Sequence, residues 1–305
     1  MKLSIVTINR NNAAGLARTL ESTFAGQPGF DDWEQIVVDG ASTDGSFAAL
    51  DRWRGDPRLG WHVSEPDAGI YSAMNKGAAH ARGDYLLFLN SGDELLPDAL
   101  AAVFARPTGA DIIYGDIVRD GDGTVYPFPV GDPDEINPSY FLFTTLPHQA
   151  CFISRRLHCD VGGYDESLRI ASDWKFFLEC SMRPSVRFER VRLDVARFRM
   201  DGVSNDIAYA AAKRRELEQV LAPVFGRFVA HRAVYPPELR PWIREEDARA
   251  ADADRELAKC MRKVSRGVAG LWRYHFFRMA LKGCCGLASS VRRLLRRRKP
   301  VSPVA

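Results

Sequence analysis

Glu65-Pro66-Asp67-Ala68-Gly69-Ile70-Tyr71-Ser72-Ala73-Met74-Asn75-Lys76-Gly77 and, five residues on, Gly83-Asp84-Tyr85-Leu86-Leu87-Phe88-Leu89-Asn90-Ser91-Gly92-Asp93 decide the fold. The first run is a polar turn that opens into a helix over Tyr71–Ala81; the second is an apolar strand, Tyr85–Leu89, that ends in another polar turn. With Trp61–Ser64 as the strand before them, they form a strand-helix-strand unit, the building block of a mostly parallel sheet covered by helices. The same unit recurs upstream: Leu3–Ile8 reads as a strand, Ala13–Phe24 as a helix and Gln35–Asp39 as a strand. Asp44 can cap a helix running through Leu50. Downstream, Pro97 suits the first residue of a further helix. Asp111–Val118 and Gln149–Ser154 read as later strands, separated by a Pro/Gly/Asp-rich passage of loop or short antiparallel strands. Ser172–Met182 reads as a helix and Val186–Phe198 as a strand. From Asp206 only helical segments follow, including Tyr209–Leu221 and Glu245–Lys263. This divides the chain into an α/β domain, residues 1–205, and a helical extension, residues 206–305.

The 305 residues are 46% hydrophobic and 27% charged, ordinary globular composition, and such a length buries a sizeable core easily. The net charge of +3 conceals a division. After Glu256 there are 13 Lys or Arg and no Asp or Glu, whereas residues 1–256 carry 29 basic against 39 acidic side chains. An acidic body argues against a nucleic-acid binder, and a basic tail suits an anionic surface. The six cysteines have neither zinc-ligand spacing nor a small-domain disulfide pattern, so reduced thiols in the cytoplasm are expected. Met1-Lys2-Leu3-Ser4-Ile5-Val6-Thr7 is strand-like and lacks the apolar core of a signal peptide, and no apolar run is long enough to span a membrane.

In open α/β sheets ligands gather beyond the carboxyl ends of the strands. Four polar clusters stand there: Thr7-Ile8-Asn9-Arg10-Asn11-Asn12, Asp39-Gly40-Ala41-Ser42-Thr43-Asp44-Gly45, Glu65-Pro66-Asp67-Ala68-Gly69 and Asn90-Ser91-Gly92-Asp93. All four are expected to meet along one edge of the sheet. Together with the two opening stretches they resemble family 2 glycosyltransferases of the glycosyltransferase A-type fold, a Rossmann-like sheet flanked by helices. The likeness runs from Lys2 to about Ser204 and is greatest to the subgroup that builds bacterial polysaccharides, including colanic-acid-type enzymes.

The resemblance implies an inverting, metal-dependent enzyme that moves a sugar from a nucleoside diphosphate donor to an acceptor hydroxyl. Thr7, Asn9 and Asp39 would line the nucleoside pocket, Asp39 accepting hydrogen bonds from the base; read as a residue in a Gly/Ser-rich loop, Asp39 is also a turn cap. Asp67 and Lys76 would border the donor diphosphate and sugar, with Asn90 and Ser91 beside them, although a helical lysine is by default a solvated surface residue. Asp93 would hold a divalent cation, Mg²⁺ or Mn²⁺, since a hard ion bridging two phosphates takes carboxylate oxygen. The family's usual Asp-x-Asp is thinned here, with Asn90 and Gly92 in the places of its aspartates. Read locally, Asp93 is a helix cap.

Gly162-Gly163-Tyr164-Asp165-Glu166 with Ile170-Ala171-Ser172-Asp173-Trp174 resembles the acceptor-side motif. Asp173 would be the general base, contributing about 10²–10⁴-fold, while Ser172 and Asp173 are also suited to cap the helix that follows. His148 and Trp174 are expected near the acceptor, and Arg197 and Ser204 in a late loop over the donor. The last segment places Val268, Leu271, Trp272, Phe276, Met279, Leu287, Val291 and Leu294 at helical spacing among Arg273, Arg278, Lys282, Arg292 and Arg293, and ends in Arg296-Arg297-Arg298-Lys299. That is a basic amphipathic pattern able to lie on an anionic membrane; a helix packed on the domain or a partner-binding arm are its alternatives. The partners expected are a nucleotide-sugar donor, a glycan or lipid-linked acceptor and the inner face of the plasma membrane, with no nucleic acid. No Gly-x-Gly-x-x-Gly and no P-loop follow the first strand, which argues against a dinucleotide oxidoreductase or nucleotidyltransferase. A non-catalytic sugar-nucleotide-binding or scaffold protein of the same fold is the remaining rival.

Overall fold

β1 (Leu3–Asn9), α1 (Ala13–Phe24), β2 (Trp33–Asp39), a 3₁₀ helix (Ser46–Trp53), β3 (Leu59–Ser64), α2 (Ile70–Ala79) and β4 (Tyr85–Phe88) follow one another in the computed structural model. It describes residues 1–106, 108–121, 124–128, 130–142, 144–199 and 207–225. The strands lie side by side in the order β3, β2, β1, β4, all parallel. β2 and β4 are buried along their whole length because helices cover both sheet faces. Strand period two sends Leu3 and Ile5 to the layer of Leu16, Leu20 and Phe24 on α1, and Val6 to that of Met74 and Ala78 on α2. α2 approaches so closely that a Cβ on Gly77 would stand 2.4 Å from Val6 Cγ1.

Past β4 the sheet becomes mixed. There follow β5 (Glu94–Leu95), α3 (Ala99–Val103), β6 (Ile112–Gly121), β7 (Thr124–Phe128), β8 (Cys151–Ser154), α4 (Arg155–Val161), α5 (Ser172–Ser181), β9 (Phe188–Arg199) and α6 (Ile207–Phe225). β8 runs antiparallel between β4 and β6, β9 is parallel to β6, β5 closes on β9 and β7 folds back on β6 as a hairpin. The Pro/Gly/Asp-rich passage is thus this hairpin followed by short 3₁₀ turns.

Two local expectations change, and one helix that no sequence period announces is added. Pro97 is not the first residue of a helix: Leu96 N is held by Val195 O at 2.9 Å, so the chain must turn through Pro97 and Asp98, the latter left-handed at φ 59°, before α3 begins at Ala99. Asp44 stands one residue outside the cap of the 3₁₀ helix, taking Ser46 N at 2.9 Å on one oxygen and Ala13 N at 2.9 Å on the other. It therefore ties two element starts together. α4, too short to show a period, is fixed by its ends, where Ser154 accepts from Leu157 N and Gly162 turns left-handed at φ 96°.

α6 seats Leu221, with Leu217 and Val220, in the same apolar cluster as Phe176 and Phe177 of α5. Cys151, Cys159 and Cys180 are free thiols. No helix among the described residues is long and apolar enough to cross a membrane. The boundary near Asn205, the helix expected over 245–263 and the basic amphipathic tail lie outside the described residues.

Candidate functional site

The carboxyl ends of β1 and β2 meet at Asp39. Its Oδ1 accepts from Asn9 Nδ2 at 2.7 Å and Ser42 Oγ at 2.6 Å; its Oδ2 accepts from Ser42 N at 2.9 Å and Ser64 Oγ at 2.6 Å. Burial raises the carboxyl's pKa, but the bonds from Ser42, Ser64 and Asn9 prevail and hold it below the ordinary range. Asp39 is fully buried, so here it organises the loop around it. Thr7, two residues before Asn9, is equally buried and its hydroxyl accepts from Gln35 Nε2 at 2.9 Å, inside the sheet and away from open space. Asn9 keeps one buried unpartnered atom, Oδ1.

The turn after β4 is held from α1. Thr19 donates its hydroxyl to Asp93 O at 2.7 Å and accepts from Gly92 N at 3.0 Å, while Asn12 Nδ2 donates to Ser91 O at 3.1 Å. Asn12 has no sequence signal for this role beyond its place just after β1, and Thr19, inside α1, has none. Asp93 is buried to 6% exposure. Asp67 accepts from Gly69 N at 2.9 Å and its other oxygen lies against Gly40, where a Cβ would be 2.6 Å away; the third cluster is thereby joined to the second. Lys76 is paired with Glu65 at 2.7 Å. All four polar clusters do meet at one sheet edge.

Across from them, Asp173 sits in the first turn of α5. Its Oδ1 accepts from Tyr71 Oη at 2.9 Å and its Oδ2 lies 3.1 Å from His148 Nδ1; the side chains are 21% and 17% exposed. Burial pushes Asp173 upward, yet the hydrogen bond and charge of His148, with Tyr71, bring its pKa below the ordinary 3.8. For His148, burial lowers the pKa, and the Asp173 contact plus the charge of Asp93 more than offset it, so the imidazole lies above its ordinary 6.5. Asp93 and Asp173 thus act on one histidine. His148 Nε2 stands 3.3 Å from Asn90 Nδ2, and Asn90 Oδ1 is buried without a partner.

Asn75 pins the acceptor-side segment, donating to Tyr164 O at 2.8 Å and accepting from Tyr164 N at 2.9 Å. Trp174 belongs to the core: it is 8% exposed and donates Nε1–H to Phe141 O at 3.1 Å. Arg197 lies within β9, opposite Glu94 of β5, not in a loop, because β9 runs on to Arg199; Ser204 lies outside the described residues.

Among the described residues no three His, Cys, Asp or Glu cluster as a metal cage. The donor set at the turn is one carboxylate, Asp93, with the unpartnered amide oxygen of Asn90 on the same turn. Those hard oxygen donors fit an ion held mainly by substrate phosphates and water.

The sequence profile described as "Glycosyl transferase family 2" matches residues 4–159, which covers the donor-side clusters and His148 but stops short of Asp173. An uncharacterized glycosyltransferase of Mycobacterium tuberculosis is 36% identical over 59% of this chain and 69% of its own length. A PGL/p-HBAD biosynthesis glycosyltransferase of Mycobacterium bovis is 32% identical over 67% of this chain and 79% of its own. Among solved structures, S. aureus TarS 1–349 in complex with UDP-GlcNAc superposes with a TM-score of 0.56 at 18% identity, over 74% of this chain and 72% of that one. The mannosyltransferase PcManGT of Pyrobaculum calidifontis, in complex with GDP-Man and Mn²⁺, gives 0.55 at 18%, over 89% and 87%. The fold is therefore that of these glycosyltransferases, and with half of its length matched by the family profile and relatives above 30% identity, the chain is a member of glycosyl transferase family 2.

Proposed function

We propose that this glycosyltransferase transfers a sugar from a nucleoside diphosphate donor to the hydroxyl of a lipid-linked glycan acceptor in polysaccharide or glycolipid assembly, inverting the anomeric centre. The observation that carries the reading is Asp173, held by Tyr71 and His148 and sharing His148 with the donor-side Asp93. Each carboxylate oxygen of Asp173 keeps a second lone pair, so it can take the acceptor proton while Tyr71 and His148 hold it in place. The hydrogen bond and charge of His148, whose own pKa is raised by its two carboxylate neighbours, help hold Asp173 below the ordinary carboxylate range. In-line attack opposite the leaving diphosphate inverts the anomeric carbon.

On the donor side, Asn9 and the loop built around Asp39 would receive the nucleoside, with Thr7 supporting them from inside the sheet. Asp67, Asn90 and Ser91 would border the sugar and diphosphate, and Lys76 would reach phosphate on leaving Glu65. Asp93 would hold Mg²⁺ or Mn²⁺. The ion, when bound, supplies positive charge to the departing diphosphate. The likeness to TarS in complex with UDP-GlcNAc and to PcManGT in complex with GDP-Man and Mn²⁺ supports a nucleotide-sugar donor and a divalent ion. The basic tail supports a lipid-linked acceptor and a peripheral place at the cytoplasmic face of the membrane.

The thinned Asn90-Ser91-Gly92-Asp93 motif favours one second reading, a nucleotide-sugar-binding protein without turnover. Donor hydrolysis and transfer from a panel of UDP-, GDP- and TDP-sugars, with Mg²⁺, Mn²⁺ or EDTA, separates the two. Asp173→Asn should bind donor like the parent and lose about 10²–10⁴-fold in turnover; unchanged turnover would remove Asp173 from the chemistry.

A further inference from the structure

α5 presents Asp173 in its first turn, yet it starts without a cap of its own: Ala171 occupies the N-cap and offers no side-chain acceptor. The amides leading into it are satisfied from elsewhere in the chain. Glu216 of α6 accepts from Arg169 N on Oε1 at 2.8 Å, and from Ile170 N and Ala171 N on Oε2 at 2.9 and 3.0 Å. One carboxylate on three consecutive amides is a charge-assisted cradle, placed where the positive end of a helix dipole also favours an anion. The contact bridges 45 to 47 residues of sequence, so nothing local in α5 would replace it. α6 is itself anchored, since Leu217, Val220 and Leu221 stand at i, i+3 and i+4 on one face and pack into the cluster that holds Trp174, Phe176 and Phe177.

We propose that Glu216 is a positioning residue for Asp173. It fixes the backbone from Arg169 to Ala171 and thereby the place and angle at which α5 offers the Asp173 carboxylate to the acceptor. Tyr71 and His148 hold the carboxylate itself; Glu216 holds the backbone beneath it. α6 is on this account part of the active site although it lies beyond the catalytic sequence motifs. The proposal rests on the reading of Asp173 as general base.

The test uses the full-length chain and compares Glu216→Ala, Glu216→Gln and a remote control, Glu34→Gln, which removes a buried carboxylate at the opposite end of β2 from the site. Turnover, donor KM, unfolding midpoint and amide hydrogen exchange at residues 169–171 are measured for each. Glu216→Ala should release those amides to faster exchange and lower kcat by roughly 10–100-fold, the scale expected for a reacting group displaced by about 1 Å, with donor KM within about twofold of the parent. Glu216→Gln, which keeps one acceptor oxygen, should lie between. Glu34→Gln should lower the midpoint and leave kcat alone. An active parent with kcat unchanged in Glu216→Ala, unchanged exchange at 169–171, or an equal loss of kcat in Glu34→Gln would overturn the positioning role alone. A parent inactive with every donor would instead sink the proposed function, and the positioning role with it.

Discussion

His148 and Asp173 are opposite partners of one titrating pair, and the directions of their shifts fix a pH window. Asp173 titrates below its ordinary 3.8, so its contribution to stability is present above 3.8 and lost as pH falls through the lowered native value. His148 titrates above 6.5, so its contribution is present below 6.5 and lost as pH rises through the raised native value. Both are fully expressed between these two ordinary values, with Asp93 adding its charge on the imidazole side. Urea midpoints measured across pH should therefore fall on either side of that window, and His148→Gln should flatten the alkaline fall; an identical pH profile in the variant would remove the pair from the account. The same substitution takes away the largest partner lowering Asp173, so the acid limb of the pH–kcat profile should move to higher pH. Asp173, His148 and Asp93 were each legible in the sequence as polar residues at element ends. Their meeting was not, because the contact joins residues 25 apart through a sheet whose second half pairs non-locally. Trp174, next to Asp173 in sequence, goes to the core, since one step along a helix turns a side chain by about 100°.

At the scale of elements, the alternation of strand and helix through β4 could be read because each unit buries itself against the next. After β4 it could not: Leu96, paired with β9 about a hundred residues later, decides where α3 begins, and no window around Pro97 contains that information. Gly77 is a place where packing between elements leaves no slack. A Cβ there would stand 2.4 Å from Val6 Cγ1 and 3.4 Å from Val38 Cγ2, so α2 must lift from the sheet to admit it. Gly77→Ala should cost about 1–3 kcal/mol despite the better helix propensity of alanine, read as a lower urea midpoint at unchanged m-value. Since α2 also carries Tyr71, which holds Asp173, and Asn75, which pins Tyr164, the lifted helix should lower kcat as well. A variant as stable and as active as the parent would show that the sheet and helix yield more easily than their spacing allows.

Over the whole molecule the charges are segregated: 39 acidic against 29 basic side chains up to Glu256, then 13 basic and none acidic. On the proposed membrane reading, an acidic body would be repelled by anionic lipid and a basic tail attracted to it. On that reading each tail cation near the surface would contribute about 1 kcal/mol, screened by salt, and Trp272, Phe276 and the leucines of 271–294 would contribute a salt-independent part. Replacing Arg292, Arg293, Arg296, Arg297, Arg298 and Lys299 together by Gln in the full-length chain should weaken co-sedimentation with phosphatidylglycerol vesicles by at least about 100-fold at low salt, on that scale. It should leave transfer to a water-dissolved acceptor unchanged, as expected of a tail that acts on the membrane alone. Raising the salt should erase most of the difference between parent and variant. Equal binding by both at low salt would place the tail on another partner or on the catalytic body, and a loss of transfer to the dissolved acceptor would favour the body.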